Sequence, residues 1–175
     1  VDGNGQSQLA QLVTGVISPD SGEVELNSHK VAQFAPNGFI LSNVSHVPED
    51  RNKMGLVGNM DLTDNMMLRS FRKGKTPFVN RKPARELAEH VVESLEVVTP
   101  GIHTPVRRLS GGNVQKVLLG REIASSPTVL LTAYAVRGLD INSSYTIYDL
   151  LNEQKKKGVA VIFVGEDLDV LVELS

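Results

Sequence analysis

Cysteine and tryptophan are absent from this chain of 175 residues, and aromatic residues make up only 5% of it. Without cysteine, a disulfide scaffold and any zinc or iron–sulfur site with cysteine ligands are excluded. No apolar run approaches the roughly 18 residues that a membrane-spanning helix needs, and the N-terminus lacks a signal-peptide pattern. The formal net charge is only −2, from 18 basic and 20 acidic residues. Because nucleic-acid binding usually requires a clustered basic excess, we expect no nucleic-acid partner.

The composition, with 41% hydrophobic and 22% charged residues, is that of an ordinary globular protein. Its length predicts one domain, residues 1–175. The chain opens within a glycine-rich stretch, VDGNGQSQ, and ends within an apolar helical pattern, LDVLVELS, so we expect a fragment truncated at both ends. The scattered histidines lack metal-ligand spacing and are predicted to lie on the surface or in loops: His29, His46, His90 and His103.

Apolar runs of strand length alternate with helical patterns along the chain. Strands are predicted in GEVELN, before Pro48, in TVLLTA and in VAVIFVG. Helices are predicted from Ser7, in LTDNMMLRSF with Thr63 as the N-cap, in RKPARELAEHVVESLEVV, after the glycines that follow Ser110, and in SSYTIYDLLNEQKKK. This alternation is typical of α/β proteins, in which helices cover both faces of a mostly parallel sheet.

A glycine-rich loop leads directly into the first predicted helix. Backbone N–H groups in such a loop can surround a phosphate, and the helix dipole favours an anion at this end. The candidate nucleotide-binding residues are Gly3, Asn4, Gly5, Gln6, Ser7 and Gln8. In the P-loop pattern a lysine and then a hydroxyl residue follow the last glycine, whereas here Gln6 replaces the lysine and Ser7 keeps the hydroxyl as a weak magnesium ligand. Taken alone, the stretch also fits a plain turn.

A second glycine pair precedes a helix in the octet LSGGNVQK. Its candidate binding residues are Leu109, Ser110, Gly111, Gly112, Asn113 and Gln115. Backbone donors and a serine hydroxyl at a helix start suit a phosphate. A serine N-cap with a glycine turn would account for Ser110 but not for the whole octet.

The octet resembles the signature motif of the ABC ATPases. The motif order also resembles this family: a glycine loop and helix, TGVISPDSGEVEL, the LSGGN helix, and a strand that ends in RGLD. The segments HVPEDRNKMGLV and RGLD resemble the second, C-terminal ATPase half of nucleoside and simple-sugar importers, and TPVRRLSGGNVQKVLLGREI favours the nucleoside branch. The resemblance implies a P-loop NTPase fold with a helical signature subdomain at about residues 60–125, inserted in the α/β core.

Positions that carry the family's hydrolytic chemistry differ in this chain. Ala133 stands at the place of the aspartate that supports magnesium, and Tyr134 at that of the catalytic glutamate. Glu166 stands at the place of the switch histidine, and the family's magnesium-contacting glutamine falls near Pro48 and Glu49. Alanine has no ligand atom, and a neutral tyrosine is a poor base at pH 7. With Gln6 at the lysine position, the resemblance implies that this half's own ATP and Mg²⁺ site is weak or inactive.

The signature motif serves a different site in this family, because two ATPase halves pack head to tail. The resemblance implies that Ser110, Gly111 and Gly112 contact the γ-phosphate of ATP held by an intact partner half, while Asp140 lies in a loop at the interface between halves. It further implies membrane permease subunits, an indirectly acting substrate-binding protein and a peripheral location on the cytoplasmic face of the cell membrane. Two alternatives stay open: a non-catalytic dimerisation or regulatory half, and a soluble ABC-type ATPase of DNA repair or translation.

Overall fold

A computed structural model describes residues 4–26, 29–31, 36–71, 78–165 and 171–172 of the chain. The helices within these ranges are α1 (Gln6–Val13), α2 (Pro36–Leu41), α3 (Leu62–Met67), α4 (Lys82–Ser94), α5 (Gly111–Ala124) and α6 (Ile141–Lys156). The strands are β1 (Glu25–Leu26), β2 (His29–Lys30), β3 (Val44–Val47), β4 (Val129–Ala133) and β5 (Ala160–Val164). A π-helical turn, Arg51–Gly55, and a 3₁₀ turn, Val106–Arg108, complete the described elements.

The main described sheet is parallel, with β4 between β3 and β5. Val47 pairs with Thr132, and Ala133 pairs with Val164, so the carboxyl ends of all three strands meet at one edge. The four residues of β4 from Leu130 onward are buried, as expected for a strand covered on both faces. The predicted α/β class is therefore confirmed. A separate two-stranded antiparallel pair is formed by β1 and β2.

Helix α5 lies at the centre of the packing. Its Val117, Leu118 and Leu119 are all 0% exposed and point in different directions around the helix, so the helix is surrounded by protein. Neighbours include α4, α6 and β3. Gly120 shows how closely α4 approaches, since a Cβ there would lie 2.7 Å from a methyl carbon of Val91. This packing fixes the start of α5 relative to the sheet.

Two local predictions were wrong. Helix α3 begins at Leu62 with Asp61 as its N-cap, whose carboxylate accepts from the Asp64 N–H at 2.7 Å, while the predicted cap Thr63 is buried inside the helix. Residues 36–41, for which no helix was predicted, form helix α2. In both cases a stronger local hydrogen bond or tertiary packing outweighed the sequence signal.

Between β3 and β4 the described residues form α3, α4 and α5 and no strand. A backbone bridge between Asp61 and Pro105 ties the start of α3 to the segment before the 3₁₀ turn, and the Leu62 N–H also donates to the Ile102 oxygen at 3.1 Å. The subdomain predicted at about residues 60–125 has this helical composition, and its status as an inserted unit stays a prediction. Among the described residues, no helix combines the length and apolar character needed to cross a bilayer.

Candidate functional site

Helix α1 begins one residue earlier than predicted, at Gln6, and Gly5 is its N-cap. Gly5 has a φ of 91°, in the left-handed region that glycine enters without a Cβ penalty. Its N-cap residue has no side chain, so the cap position itself supplies no side-chain acceptor to the first-turn N–H groups. The side-chain oxygen of Gln6 accepts from the Asn4 N–H at 2.9 Å, which folds the loop back on itself. The candidate Gly3 lies outside the described residues.

A pocket of about 130 Å³ lies where the start of α1 faces the carboxyl ends of the parallel strands. Its lining comprises Gln6, Ser7, Ala10, Gln11, His46, Pro48, Glu49, Asp50, Met54, Ala133, Tyr134 and Val164. In open α/β sheets, ligands bind outside the carboxyl ends of the strands, and a helix N-terminus there favours an anion. The structure therefore brings the predicted residues together in one cleft: Gln6, Ser7, Pro48, Glu49, Ala133 and Tyr134.

The end of β4 contributes no acid to this pocket. Ala133 and Tyr134 are each 6% exposed, and Tyr134 adopts a left-handed φ of 51° with its N–H donating to the Val164 oxygen at 2.7 Å. A left-handed tyrosine is a strained conformation, of the kind that often marks a functional site. The described residues contain no cluster of three acidic or histidine side chains that could hold a metal ion. Glu166 lies outside them.

Glu49 is one of the acidic residues that line the pocket, and it is already paired. Its carboxylate is 2.7 Å from the Arg137 guanidinium, which also lies 5.5 Å above the centre of the Tyr134 ring. A guanidinium over an aromatic face is attracted by the ring quadrupole. The Tyr134 ring thus packs against the ion pair that Arg137 and Glu49 form between two loops, and the Glu49 carboxylate is not left free to act as a base.

His46 corrects the prediction that the histidines lie on the surface or in loops. It lies on β3, is partly buried and lines the pocket. Burial lowers its pKa below the usual 6.5, and the nearby Glu122 carboxylate only partly offsets this. The imidazole is therefore neutral at pH 7, with its Nε2 atom buried and unpaired.

The start of α5 carries the octet. Ser110 is the N-cap, and its hydroxyl accepts from the Asn113 N–H at 3.5 Å and the Asn113 side-chain amide at 2.9 Å. The side-chain oxygen of Asn113, Oδ1, in turn accepts from the Val98 N–H at 2.9 Å. Ser110 and Gly111 are exposed and Leu109 is half-buried. The exposed part of the motif that can meet another molecule is thus Ser110 and Gly111.

Gln115 lies inside the protein, 1% exposed, with its Nε2 atom unpartnered. An inward amide cannot reach a nucleotide on another molecule without a rearrangement of α5. None of the octet residues lines the pocket. The two candidate phosphate sites predicted from the sequence are therefore separate in this chain.

Asp140 caps α6 and contacts the octet. One carboxylate oxygen accepts from the Ser143 hydroxyl at 2.7 Å and the other from the Ser143 N–H at 2.9 Å. These hydrogen bonds, the hydroxyl one foremost, lower the pKa of Asp140. Gly112 packs against the same cap, since a Cβ on it would lie 2.4 Å from Ser143 Oγ. The start of α6 therefore adjoins the start of α5.

Several residues that the sequence did not single out complete the surroundings. Arg51 lies beside Gly111, Arg137 pairs with Glu49, and Glu122 accepts hydrogen bonds from buried arginines. Arg51 and Arg137 are 86 residues apart in the chain, yet Arg51 donates to the Arg137 carbonyl at 3.2 Å. No local pattern could reveal such a long-range contact.

A family model described as ABC transporter matches residues 1–132 of the chain. The Guanosine import ATP-binding protein NupO of Bacillus subtilis (strain 168) is 35% identical over 178 residues, covering 100% of this chain and 35% of that protein. The Ribose import ATP-binding protein RbsA 2 of Rubrobacter xylanophilus is 36% identical over 174 residues, covering 99% of this chain and 34% of that protein. The chain thus spans about a third of the length of these curated relatives.

Solved structures share the fold. A dimeric post-hydrolysis state of the ATP-binding cassette MJ0796, bound to ADP and Pi, superposes with a TM-score of 0.78 at 21% identity, covering 95% of this chain and 72% of that one. A nucleotide-free ATP-binding cassette from an ABC transporter gives the same TM-score at 19% identity, covering 99% of this chain and 71% of that one.

Proposed function

Because this chain belongs to the ABC transporter family, we propose that it forms part of the second ATP-binding half in the ATPase component of a nucleoside or simple-sugar importer. Its own nucleotide pocket is hydrolytically weak or inactive. Its contribution to turnover is the start of α5, which completes the ATP site of an intact partner half. The relatives described as guanosine and ribose import proteins support the transported class.

The pocket residues support a weak own site. Phosphoryl transfer needs charge stabilisation by a cation and an aligned water. Gln6 offers an amide where the P-loop pattern has a lysine, and this loses a charge-assisted contact of about 1.5–3 kcal/mol. Ala133 supplies no oxygen to a metal, and Tyr134 is buried under Arg137. Ser7 alone keeps the hydroxyl that the pattern gives to magnesium. Nucleotide can still occupy such a pocket through the backbone at Gly5.

The start of α5 differs from the pocket, because it keeps the groups that can bind a phosphate. This contrast is the observation that carries the proposal. Ser110 and Gly111 are exposed, and the N–H groups of Gly111 and Gly112 at the start of α5 have no acceptor within the helix. Such donors, with the helix dipole, suit the γ-phosphate of a nucleotide held by another molecule. Asp140, exposed at the adjoining cap, faces the same partner and links the two sites.

The assembly that follows contains this chain, an intact ATPase half, membrane permease subunits and, indirectly, a substrate-binding protein. It works from the cytoplasmic face of the cell membrane as a peripheral subunit, with ATP and Mg²⁺ acting at the partner's site. Asymmetry between the halves is the central expectation: one complete site hydrolyses ATP, and the other holds nucleotide weakly or not at all.

Substitution at Ser110 in the assembled importer tests whether the start of α5 completes the ATP site of the partner half. We expect Ser110→Arg to abolish ATP hydrolysis, because a long cation blocks the approach of the partner's phosphate, whereas Gln6→Ala changes it little. Ser94→Arg, at the last residue of α4, is the control for adding a long cation to an exposed serine outside the octet. Full hydrolysis by the Ser110 variant would instead favour a purely non-catalytic, regulatory half.

A further inference from the structure

The start of α5 is enclosed on two sides. Gly112 packs against Ser143 at the start of α6, as described above. On the other side, a Cβ on Gly111 would lie 3.0 Å from the Arg51 Nη2 atom. Glycine has no side chain that could separate the α5 backbone from these neighbours. A small movement of Arg51 or of the start of α6 would therefore displace the start of α5.

Arg51 is held by a carbonyl rather than by a carboxylate. Its Nη1 atom donates to the Arg137 oxygen at 3.2 Å, and no carboxylate among the described residues forms an ion pair with it. The adjacent Asp50 is used otherwise, because it accepts from the backbone N–H groups of Asn52 and Lys53. The Arg51 Nε atom is buried without an acceptor, which is unfavourable for a charged group. The guanidinium is therefore placed by its hydrogen bond to the Arg137 oxygen, with Gly111 beside it.

The turn that carries Arg51 is itself fixed to α5. A Cβ on Gly55 would lie 2.7 Å from a methyl carbon of Leu118, and the Arg121 guanidinium donates to the Gly55 oxygen at 2.8 Å. The turn 51–55 thus contacts α5 near its middle through Gly55 and at its start through Arg51. Two separated contacts fix the orientation of a helix, whereas one contact leaves it free to pivot.

Arg137 connects this arrangement to the pocket. Its backbone oxygen holds Arg51, while its side chain pairs with Glu49 and lies over Tyr134. Glu49 and Tyr134 both line the pocket. A continuous set of contacts therefore runs from the pocket wall through Arg137 and Arg51 to Gly111.

We propose that Arg51 is a positioning residue that holds Ser110, Gly111 and Gly112 at the height and angle needed to meet the partner's nucleotide. This inference rests on the proposed function, because it assigns Arg51 a role in the site that the octet completes. Arg51 acts through the helix start and does not itself touch the nucleotide. Its planar fork allows simultaneous contact with the Arg137 carbonyl and Gly111, which a lysine ammonium reproduces only in part.

The test measures ATP hydrolysis by the assembled importer with Arg51→Met, Arg51→Lys and the matched control Arg85→Met, an exposed arginine of α4. We expect Arg51→Met to lower kcat by roughly 10- to 100-fold, the range that a displacement of about 1 Å produces. ADP affinity of the partner half and the thermal midpoint stay near those of the unchanged protein. Arg51→Lys recovers part of kcat, and Arg85→Met matches the unchanged protein.

Ser110→Arg, measured in parallel, separates the two proposals. If it abolishes hydrolysis while Arg51→Met stays within twofold of the unchanged protein, the role of Arg51 is overturned and the proposed function stands. If Ser110→Arg leaves hydrolysis intact, the proposed function fails. A fall in kcat with a matching loss of ADP binding or of assembly would identify Arg51 as merely structural. Should Arg51→Met not fold, Arg51→Lys decides: an unchanged kcat contradicts the proposal, and a reduced kcat at an unchanged thermal midpoint supports it.

Discussion

Gly112 and Ser143 leave no space for a side chain between the starts of α5 and α6. A Cβ on Gly112 would lie 2.4 Å from the hydroxyl oxygen of Ser143 and 3.0 Å from its Cβ. The octet and the cap formed by Asp140 therefore cannot move independently, and a nucleotide that shifts one of them shifts the other.

Gly112→Ala is expected to lower the free energy of unfolding by about 1–3 kcal/mol, because the new methyl group overpacks a tight contact. Urea titration measures this loss. Ser143→Gly in the same chain should recover part of it, since it removes both atoms that the methyl group meets. Gly111→Ala is the matched control and should cost less, because its Cβ would lie 3.0 Å from its nearest neighbour, whereas a Cβ on Gly112 would lie 2.4 Å from Ser143 Oγ. Equal costs at both glycines would contradict the packing argument.

Restoring charge to the pocket should make nucleotide binding depend on magnesium. In the unchanged chain we expect ATP affinity to be similar with Mg²⁺ and with EDTA, since Ala133 offers no ligand oxygen. The double variant Gln6→Lys with Ala133→Asp should bind Mg²⁺-ATP at least about tenfold more tightly than the unchanged chain, as one charge-assisted contact allows.

Calorimetric titration of both proteins under both conditions checks this prediction. Gln11→Lys, on the same helix and also lining the pocket, is the control for added charge alone. Strong Mg²⁺ dependence in the unchanged chain would contradict the assignment of the weak site.

Gln115→Met is expected to be neutral or stabilising by about 1 kcal/mol, because it removes a buried amide whose nitrogen has no partner. Chemical denaturation measures the effect. The assembled importer should hydrolyse ATP at its usual rate, since the side chain is 1% exposed. A large loss of hydrolysis at unchanged stability would show that Gln115 turns outward during turnover and contacts nucleotide.

Asp140 makes stability depend on pH in the acid range. Its pKa is lower in the folded protein than in the unfolded chain, because the ionised carboxylate accepts two hydrogen bonds from Ser143. The resulting stabilisation is present above the ordinary aspartate pKa of about 3.9 and is lost as the pH falls through the lowered pKa. Asp140→Ala should therefore unfold at lower temperature near pH 7, with a difference that shrinks below pH 4.

Thermal unfolding of both proteins between pH 2 and pH 7 measures this difference. Asp149→Asn, an exposed carboxylate within α6, provides the comparison for a simple change of charge. A difference that stays constant down to pH 2 would mean that capping by the neutral side chain, and not the ionised form, provides the stabilisation.

Glu122→Gln should be strongly destabilising, by about 3–5 kcal/mol, because it leaves buried arginines without their counter-charge. Glu122 forms ion pairs with Arg69 and Arg121, and its side chain is only 3% exposed. Glu93→Gln, at an exposed position of α4, is the matched control and should change stability by less than about 0.5 kcal/mol. Similar urea midpoints for both variants would contradict a structural role for the cluster.

The alternation of apolar strands and amphipathic helices was sufficient to predict the α/β class and most elements. β4 and α4 show why, since a continuous apolar run and a regular helical stripe each have one straightforward interpretation. The proximity of Gln6 and Tyr134 could also be predicted. The order of the motifs places Gln6 at the start of a helix and Tyr134 at the end of a strand, and parallel strands all end at one edge of the sheet. The N-cap of α3 was missed because Asp61 and Thr63 are both residue types that favour the N-cap. Which of them caps the helix depends on where the backbone changes from extended to helical, and the residue types alone do not show this.

Contacts between distant segments could not be predicted. His46 lies in a short strand, and which of its two faces meets the pocket depends on where α1 packs. Gln115 is buried because α5 is surrounded on all sides, although its sequence pattern suggests an exposed polar face. The contact between Arg51 and Arg137 joins loops that only the completed sheet brings together.

The tyrosine at the end of β4 also limits which side chains this position can accept. Its ring and the Glu49 carboxylate share the single guanidinium of Arg137. A change of Tyr134 to glutamate would place two carboxylates around that guanidinium and forfeit the ring contact. The surroundings of this strand end therefore favour the aromatic side chain over an acid at this position.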